Sequence, residues 1–227
     1  MKKLLAVALF LCFFTAYSQE YRIVEPFTKI MVGPHVELLV EEGDNETVLL
    51  SNIEVDEDKI NIKVKGNTLK IYLDQAKVAT KHKKEKNKGY KMKVPIYEGR
   101  KVTATVTYKY LHKLSLRGEE KHEVKSILDT DKFKINLYGE GRLVIGEIES
   151  EVIKAKLYGN NYLNIKNGTT YKQKYKSYGE NKVDTRNLES TIAKSSNFGE
   201  NDIRLQASDK IKFSSMGVSI IRYSGVS

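Results

Sequence analysis

The sequence predicts an all-β protein: a parallel β-helix, or β-solenoid, with coils of about 20 residues, preceded by a less regular N-terminal β region. Three observations carry this. Glycines recur at Gly118, Gly139, Gly159, Gly179, Gly199 and Gly217, with successive differences of 21, 20, 20, 20 and 18. Apolar residues flank each glycine at a spacing of two. Proline is nearly absent, with three in 227 residues, and Ile, Val, Tyr, Thr and Lys alternate between the glycines.

From the N-terminus, the first 18 residues have the form of a secretory signal peptide. Lys2 and Lys3 precede the apolar run Leu4–Phe14, and Ala16-Tyr17-Ser18 offers small residues before cleavage at Gln19. The run is too short for a membrane span, and no second apolar stretch is long enough to provide one. Cys12 lies inside it and follows Leu11 rather than a small residue, which disfavours lipoprotein processing. A mature chain starting at residue 19 has no cysteine, hence no disulfide and no thiolate chemistry.

Residues 19–110 follow, a β region continuous with the repeats. "KIMVGPHVELLV" and "IKVKGNTLKIYL" each place a glycine turn, at Gly33 and Gly66, between alternating strands. Pro95 fits an edge or a bulge. Residues 111–227 are the regular units. Counting from each glycine, positions −4 and −2 hold pairs such as Leu114/Leu116, Ile135/Leu137 and Ala155/Leu157. Positions +4 and +6 hold Leu143/Ile145, Leu163/Ile165 and Ile203/Leu205. Each pair occupies one strand face. A unit is therefore strand, glycine turn, strand, and only stacked units bury a continuous core. The glycine answers a turn that needs positive φ or close backbone approach. Asn161, Asn181 and Asn201, two residues on, form an asparagine ladder up the stack.

Net charge is +10, or +8 without Lys2 and Lys3. Much of it is local: "KVATKHKKEKNKGYKMK", 77–93, holds eight lysines and one acid, Glu85. It is a basic loop on a nearly neutral body. It suits solvent or an anionic polymer. Nucleic acid is disfavoured by export and by the lack of an aromatic ladder among these lysines beyond Tyr90.

Positions −5, −3 and −1 share the face opposite the core. Position −5 is Lys113, Lys134, Lys154, Lys174, Lys194 and Lys212. Position −3 adds Lys156 and Lys176. Position −1 is Arg117, Tyr138, Tyr158, Tyr178, Phe198 and Met216. A lysine column beside an aromatic column fits two roles. It stabilises the stack through aromatic pairs, or it binds a repeating acidic glycan, with sugar rings on aromatic faces and lysines on carboxylates or sulfates. The candidate ligand residues are Lys134, Tyr138, Lys154, Lys156, Tyr158, Lys174, Lys176, Tyr178, Lys194 and Phe198.

Solenoids also include pectin-degrading enzymes, whose chemistry needs converging carboxylates or an acidic calcium site. Here the acids scatter. The best set, Glu119, Glu140, Glu180 and Glu200 at position +1, sits at a corner where solvation explains it. His35, His82, His112 and His122 all precede the regular repeats, or lie in their first unit, without triad or metal-ligand spacing. The expectation is a non-enzyme without metal or cofactor.

The turn motifs "LRGEEKHEV", "LYGEGRLVI", "LYGNNYLNI", "SYGENKVDT" and "NFGENDIRL", with "IIRYSG" and the opening "PFTKIMVGPHVELLVEEG", resemble the putative auto-transporter adhesin, head GIN domain family over roughly 22–227. The resemblance implies an exported Gram-negative β-helix-like protein, periplasmic or at the cell surface. Many family members carry small residues around the glycine where this chain carries Tyr, Phe and Glu. The chain also leaves no room for an outer-membrane barrel, so it is not expected to translocate itself. The expected function is adhesin-like binding at the envelope, with an acidic glycan or an envelope protein as partner. A purely structural envelope module and a pectinase-like enzyme are the alternatives.

Overall fold

The computed structural model describes residues 20–87 and 90–225; the signal peptide expected over 1–18 lies outside them. No α-helix occurs among the described residues, and one 3-10 turn, Glu57–Lys59, interrupts the strands. Fifteen strands form one wrapped sheet system with two broad sides.

The first side stacks Thr68–Leu73, Lys29–Val32, Lys113–Gly118 and Lys132–Gly139 in parallel. The second stacks Val102–Tyr108, Val36–Glu42 and Lys121–Asp129. The long strands Arg142–Gly159, Tyr162–Thr185 and Leu188–Gln206 then bend from one side to the other and back. Lys210–Met216 and Ser219–Ser224 complete the last coil. Register is continuous: Gly118 pairs Gly139, which pairs Gly159, then Gly179 and Gly199.

The reason for glycine is explicit at Gly159. Its φ is +112°, and a Cβ there would stand 2.1 Å from the Gly139 carbonyl oxygen. Both the dihedral and the space exclude a side chain. The asparagine ladder is present behind it. Asn161 Nδ2 donates to the Tyr158 carbonyl (3.0 Å) and to Asn181 Oδ1 (3.0 Å), and Asn181 Nδ2 donates to the Tyr178 carbonyl (3.0 Å). All three asparagines are buried, so the ladder satisfies backbone groups that the turn leaves unpaired.

Ile135, Leu137, Leu143, Ile145, Ile153, Leu157, Leu163 and Ile165 fill the middle coils. Further along, the core turns polar. Tyr175, Gln173 and Thr185 are fully buried, the Tyr175 hydroxyl donates to Gln173 Oε1 (2.8 Å), and Ser195 Oγ donates to Asn197 Oδ1 (2.8 Å). A buried polar group is tolerated when it is paired in this way.

The N-terminal region is the less regular part, as expected, and its order in space differs from its order in the chain. Lys29–Glu42 does not precede the coil containing 68–73 and 102–108 in space; it lies between that coil and the one at Lys113. Gly66 (φ 54°) and Asn67 (φ 57°) form a two-residue turn of an antiparallel hairpin, Ile60–Val64 with Thr68–Leu73, rather than a solenoid corner. Thr47–Ser51 likewise pairs antiparallel with Val102–Tyr108. These two strands end the parallel stack on both sides, and Glu20–Ile23 adds to the second. The basic segment 77–93 is largely a hairpin arm, His82–Asn87 with Tyr90–Pro95, inserted within a coil. Its lysines Lys83, Lys84, Lys91 and Lys93 are exposed.

Candidate functional site

The outward face of the first side is built by register alone. Lys29, Lys113, Lys134, Lys154, Lys174, Lys194 and Lys212 stand directly above one another on successive strands. Lys29 joins this column although sequence periodicity gave no sign of it. Lys156 and Lys176 are adjacent rungs two residues along the same strands. With Asn136 and Ala155, Lys113, Lys134, Lys154, Lys156, Lys174 and Lys176 line a groove of about 390 Å³. Lys132, Lys172 and Lys210 carry the face one step further from the turn. None of these lysines makes an ion pair among the described residues.

Like charges directly opposite on neighbouring strands are destabilising, and the lysines show it. The Lys154 ammonium is held below the ordinary lysine range, chiefly by Lys132 and also by Lys174 and Lys134. Lys194 is lowered likewise, chiefly by Lys172. For Lys113, burial acts first and the charges of Lys134 and Lys29 add to it.

Beside the lysines run the aromatic residues. Tyr138, Tyr158, Tyr178 and Phe198 stack with centroids 5.2, 4.8 and 5.0 Å apart and planes within 5°. The Arg117 guanidinium covers the outer face of Tyr138 at 4.5 Å. The rings therefore turn their faces to one another and their edges to solvent. Ring faces open to a sugar, as the sequence suggested, are taken up by the ladder itself. What remains for a ligand is a row of ring edges and phenol oxygens next to the ammonium groups.

The second side differs. Asp184 binds Arg186 (2.8 Å), Asp202 binds Arg204 (3.2 Å) and Arg222 (2.7 Å), and Arg142 lies over the Tyr162 ring at 4.2 Å. Burial pushes the Asp184 carboxyl up, but the Arg186 hydrogen bond and charge outweigh it and hold the group below the usual carboxylate range. The corner acids Glu119, Glu140, Glu180 and Glu200 are exposed. Among the described residues, no three His, Cys, Asp or Glu side chains gather as a metal site.

A second cavity, about 710 Å³, lies where the inserted arm meets the corner at Gly118. His35, at φ 70°, holds both ends of the arm: Nδ1 donates to the Gly99 carbonyl (2.7 Å), leaving Nε2 to accept from the Thr80 hydroxyl (2.5 Å). Glu120 Oε1 lies 3.9 Å from Nδ1. Burial pushes the Glu120 carboxyl up to about 7, against the backbone N–H groups of Glu120, His35 and Glu119. Periodicity gave no signal for this group, whose members come from positions 35, 80, 99 and 120. His122 is buried in the core, accepts from the Leu38 amide (3.2 Å), and is depressed to about 3 by burial.

The chain matches the family described as putative auto-transporter adhesin, head GIN domain, over residues 26–226, and belongs to it. Solved structures share the fold. A putative adhesin from Bacteroides fragilis is 19% identical with TM-score 0.69, covering 91% of this chain and 96% of that one. A putative lipid binding protein from Parabacteroides distasonis is 15% identical with TM-score 0.55, covering 92% and 94%. A putative adhesin from Parabacteroides merdae is 13% identical with TM-score 0.54, covering 91% and 94%. No protein of curated function matches the chain.

Proposed function

We propose that this member of the head GIN domain family is an exported, non-enzymatic, adhesin-like envelope protein that holds an acidic polysaccharide along its lysine face. One observation carries the reading: seven lysines in unbroken register, flanked by more lysines, with none of them ion-paired among the described residues. A fold serving only its own stability gains nothing from that repulsion. A linear polyanion relieves it, and the strand spacing of about 4.8 Å presents charge as a repeating array. The chemistry is charge pairing, with Tyr138, Tyr158 and Tyr178 adding hydroxyl hydrogen bonds rather than stacked faces. The exposed lysines of the arm offer a second contact. Lys2, Lys3 and the apolar run after them support export.

The stacked rings and buried asparagines equally support a structural module, so the test separates the two. Titration of the protein with dextran sulfate and with hyaluronan, followed by calorimetry, is compared with Lys154→Gln/Lys174→Gln and with Lys166→Gln/Lys182→Gln on the second side. The first pair is expected to lower affinity roughly tenfold, about 1.4 kcal/mol, with an unchanged circular dichroism spectrum. The second pair leaves it unchanged. Equal losses in both, or no binding by the parent, would leave the structural module.

A further inference from the structure

The two ends of the stack are unlike. At the N-terminal end each side receives an antiparallel strand, Ile60–Val64 on one and Thr47–Ser51 on the other, and Val48, Leu50 and Ile60 are buried there. At the C-terminal end no strand among the described residues covers the last coil. Lys210–Met216 and Ser219–Ser224 each pair on one edge only, with Leu188–Gln206. Among the described residues, five of the twelve exposed large apolar side chains belong to this coil: Phe213, Met216, Val218, Ile220 and Tyr223. Phe213 and Tyr223, which point inward, contact each other across the open end at 5.8 Å. A bare edge with an apolar layer behind it is a template for another strand.

We propose that a second copy of this chain covers that end, tail to tail, about a two-fold axis. The coil is self-complementary. Phe213, four residues before Gly217, faces Tyr223, six after it, across the core. A two-fold axis through both pairs each strand with its own copy, antiparallel, on both sides at once. That is the arrangement the chain already accepts at its other end. In this register Phe213 meets Phe213 and Tyr223 meets Tyr223 of the second copy. Lys212 falls opposite Ser214, Lys210 opposite Met216 and Arg222 opposite Ser224, so no like charges oppose one another. A closed pair results, because the two-fold operation joins the same C-terminal edges of both copies and leaves none of them free for further addition. The lysine faces of the two copies then lie on one continuous surface.

The test is sedimentation velocity of the full chain carrying Cys12→Ser, with Phe213→Asp and Phe213→Cys added in turn. A mass roughly twofold that of one chain is expected, falling to one chain for Phe213→Asp without change in the β-sheet circular dichroism. Oxidised Phe213→Cys should run as a covalent dimer, since the axis brings the residue against its own copy, while Ile23→Cys at the capped end should not. A monomer at tens of micromolar overturns the proposal. So does a ladder of higher species, which means head-to-tail stacking, and so does a dimer that Phe213→Asp leaves intact. Should Phe213→Asp unfold, the cysteine variants decide alone.

Discussion

One backbone path builds both sides of this solenoid, yet the two outer faces treat charge in opposite ways. On the second side, cations meet partners: Asp184 with Arg186, Asp202 with Arg204 and Arg222, Arg142 over Tyr162. On the first, lysine stands on lysine through seven rungs. The fold therefore does not require the lysine column, since the same coils carry the ion pairs of Asp184 and Asp202 on the other side. What the shared scaffold explains is order; what only the first side carries is unspent charge.

The contrast depends first on the common turn. Gly159→Ala should cost about 4 kcal/mol, lowering the melting temperature by roughly 10 °C, because positive φ and a 2.1 Å approach fail together. Loss of that size would remove both faces; a variant that melts like the parent would show that the corner relaxes. The corner next to the arm gives the second effect. The Glu120 carboxyl is raised in the fold, so the folded state holds its proton more tightly than the unfolded chain does. Its contribution is full below the unfolded value and is lost as pH rises through about 7. Glu120→Gln should therefore melt higher than the parent at pH 8 and nearly equal to it at pH 4.5. His122 acts in the opposite sense. Depressed to about 3, it takes up its proton in the unfolded chain first, so its contribution is lost as pH falls below the ordinary histidine range.

Two smaller changes address the faces themselves. Asp184→Asn leaves Arg186 and Arg204 without their shared anion and should cost about 1 kcal/mol, measured by urea unfolding. Lys154→Gln/Lys174→Gln should do the reverse, stabilising by a few tenths of a kcal/mol in low salt. That gain should vanish in high salt, where the repulsion is screened. If both variants moved stability in the same direction, the faces would not differ as described.

The coils, their glycine corners, the asparagine ladder and the lysine column at Lys134–Lys194 were legible because a translational stack writes its period into the sequence. Lys29 was not, because residues 30–112 intervene between it and its neighbour Lys113, and no 20-residue count crosses that gap. The spatial order of the first coils stayed hidden for the same reason. Periodicity showed which side Tyr138, Tyr158 and Tyr178 occupy, but ring tilt is set by packing between rungs, and that decided faces against edges. The His35–Thr80–Glu120 cluster is assembled by the arm's insertion, a single event with no repeat to announce it.

The antiparallel cap carries one last consequence. With one end sealed and every rung offering one more lysine of the column about 4.8 Å further on, the number of coils works as a ruler. Duplicating a 20-residue unit such as 154–173 would lengthen the column by one rung without redesigning the core. Stretch of ligand covered, and hence avidity, becomes a quantity set by copy number rather than by the chemistry of any single side chain.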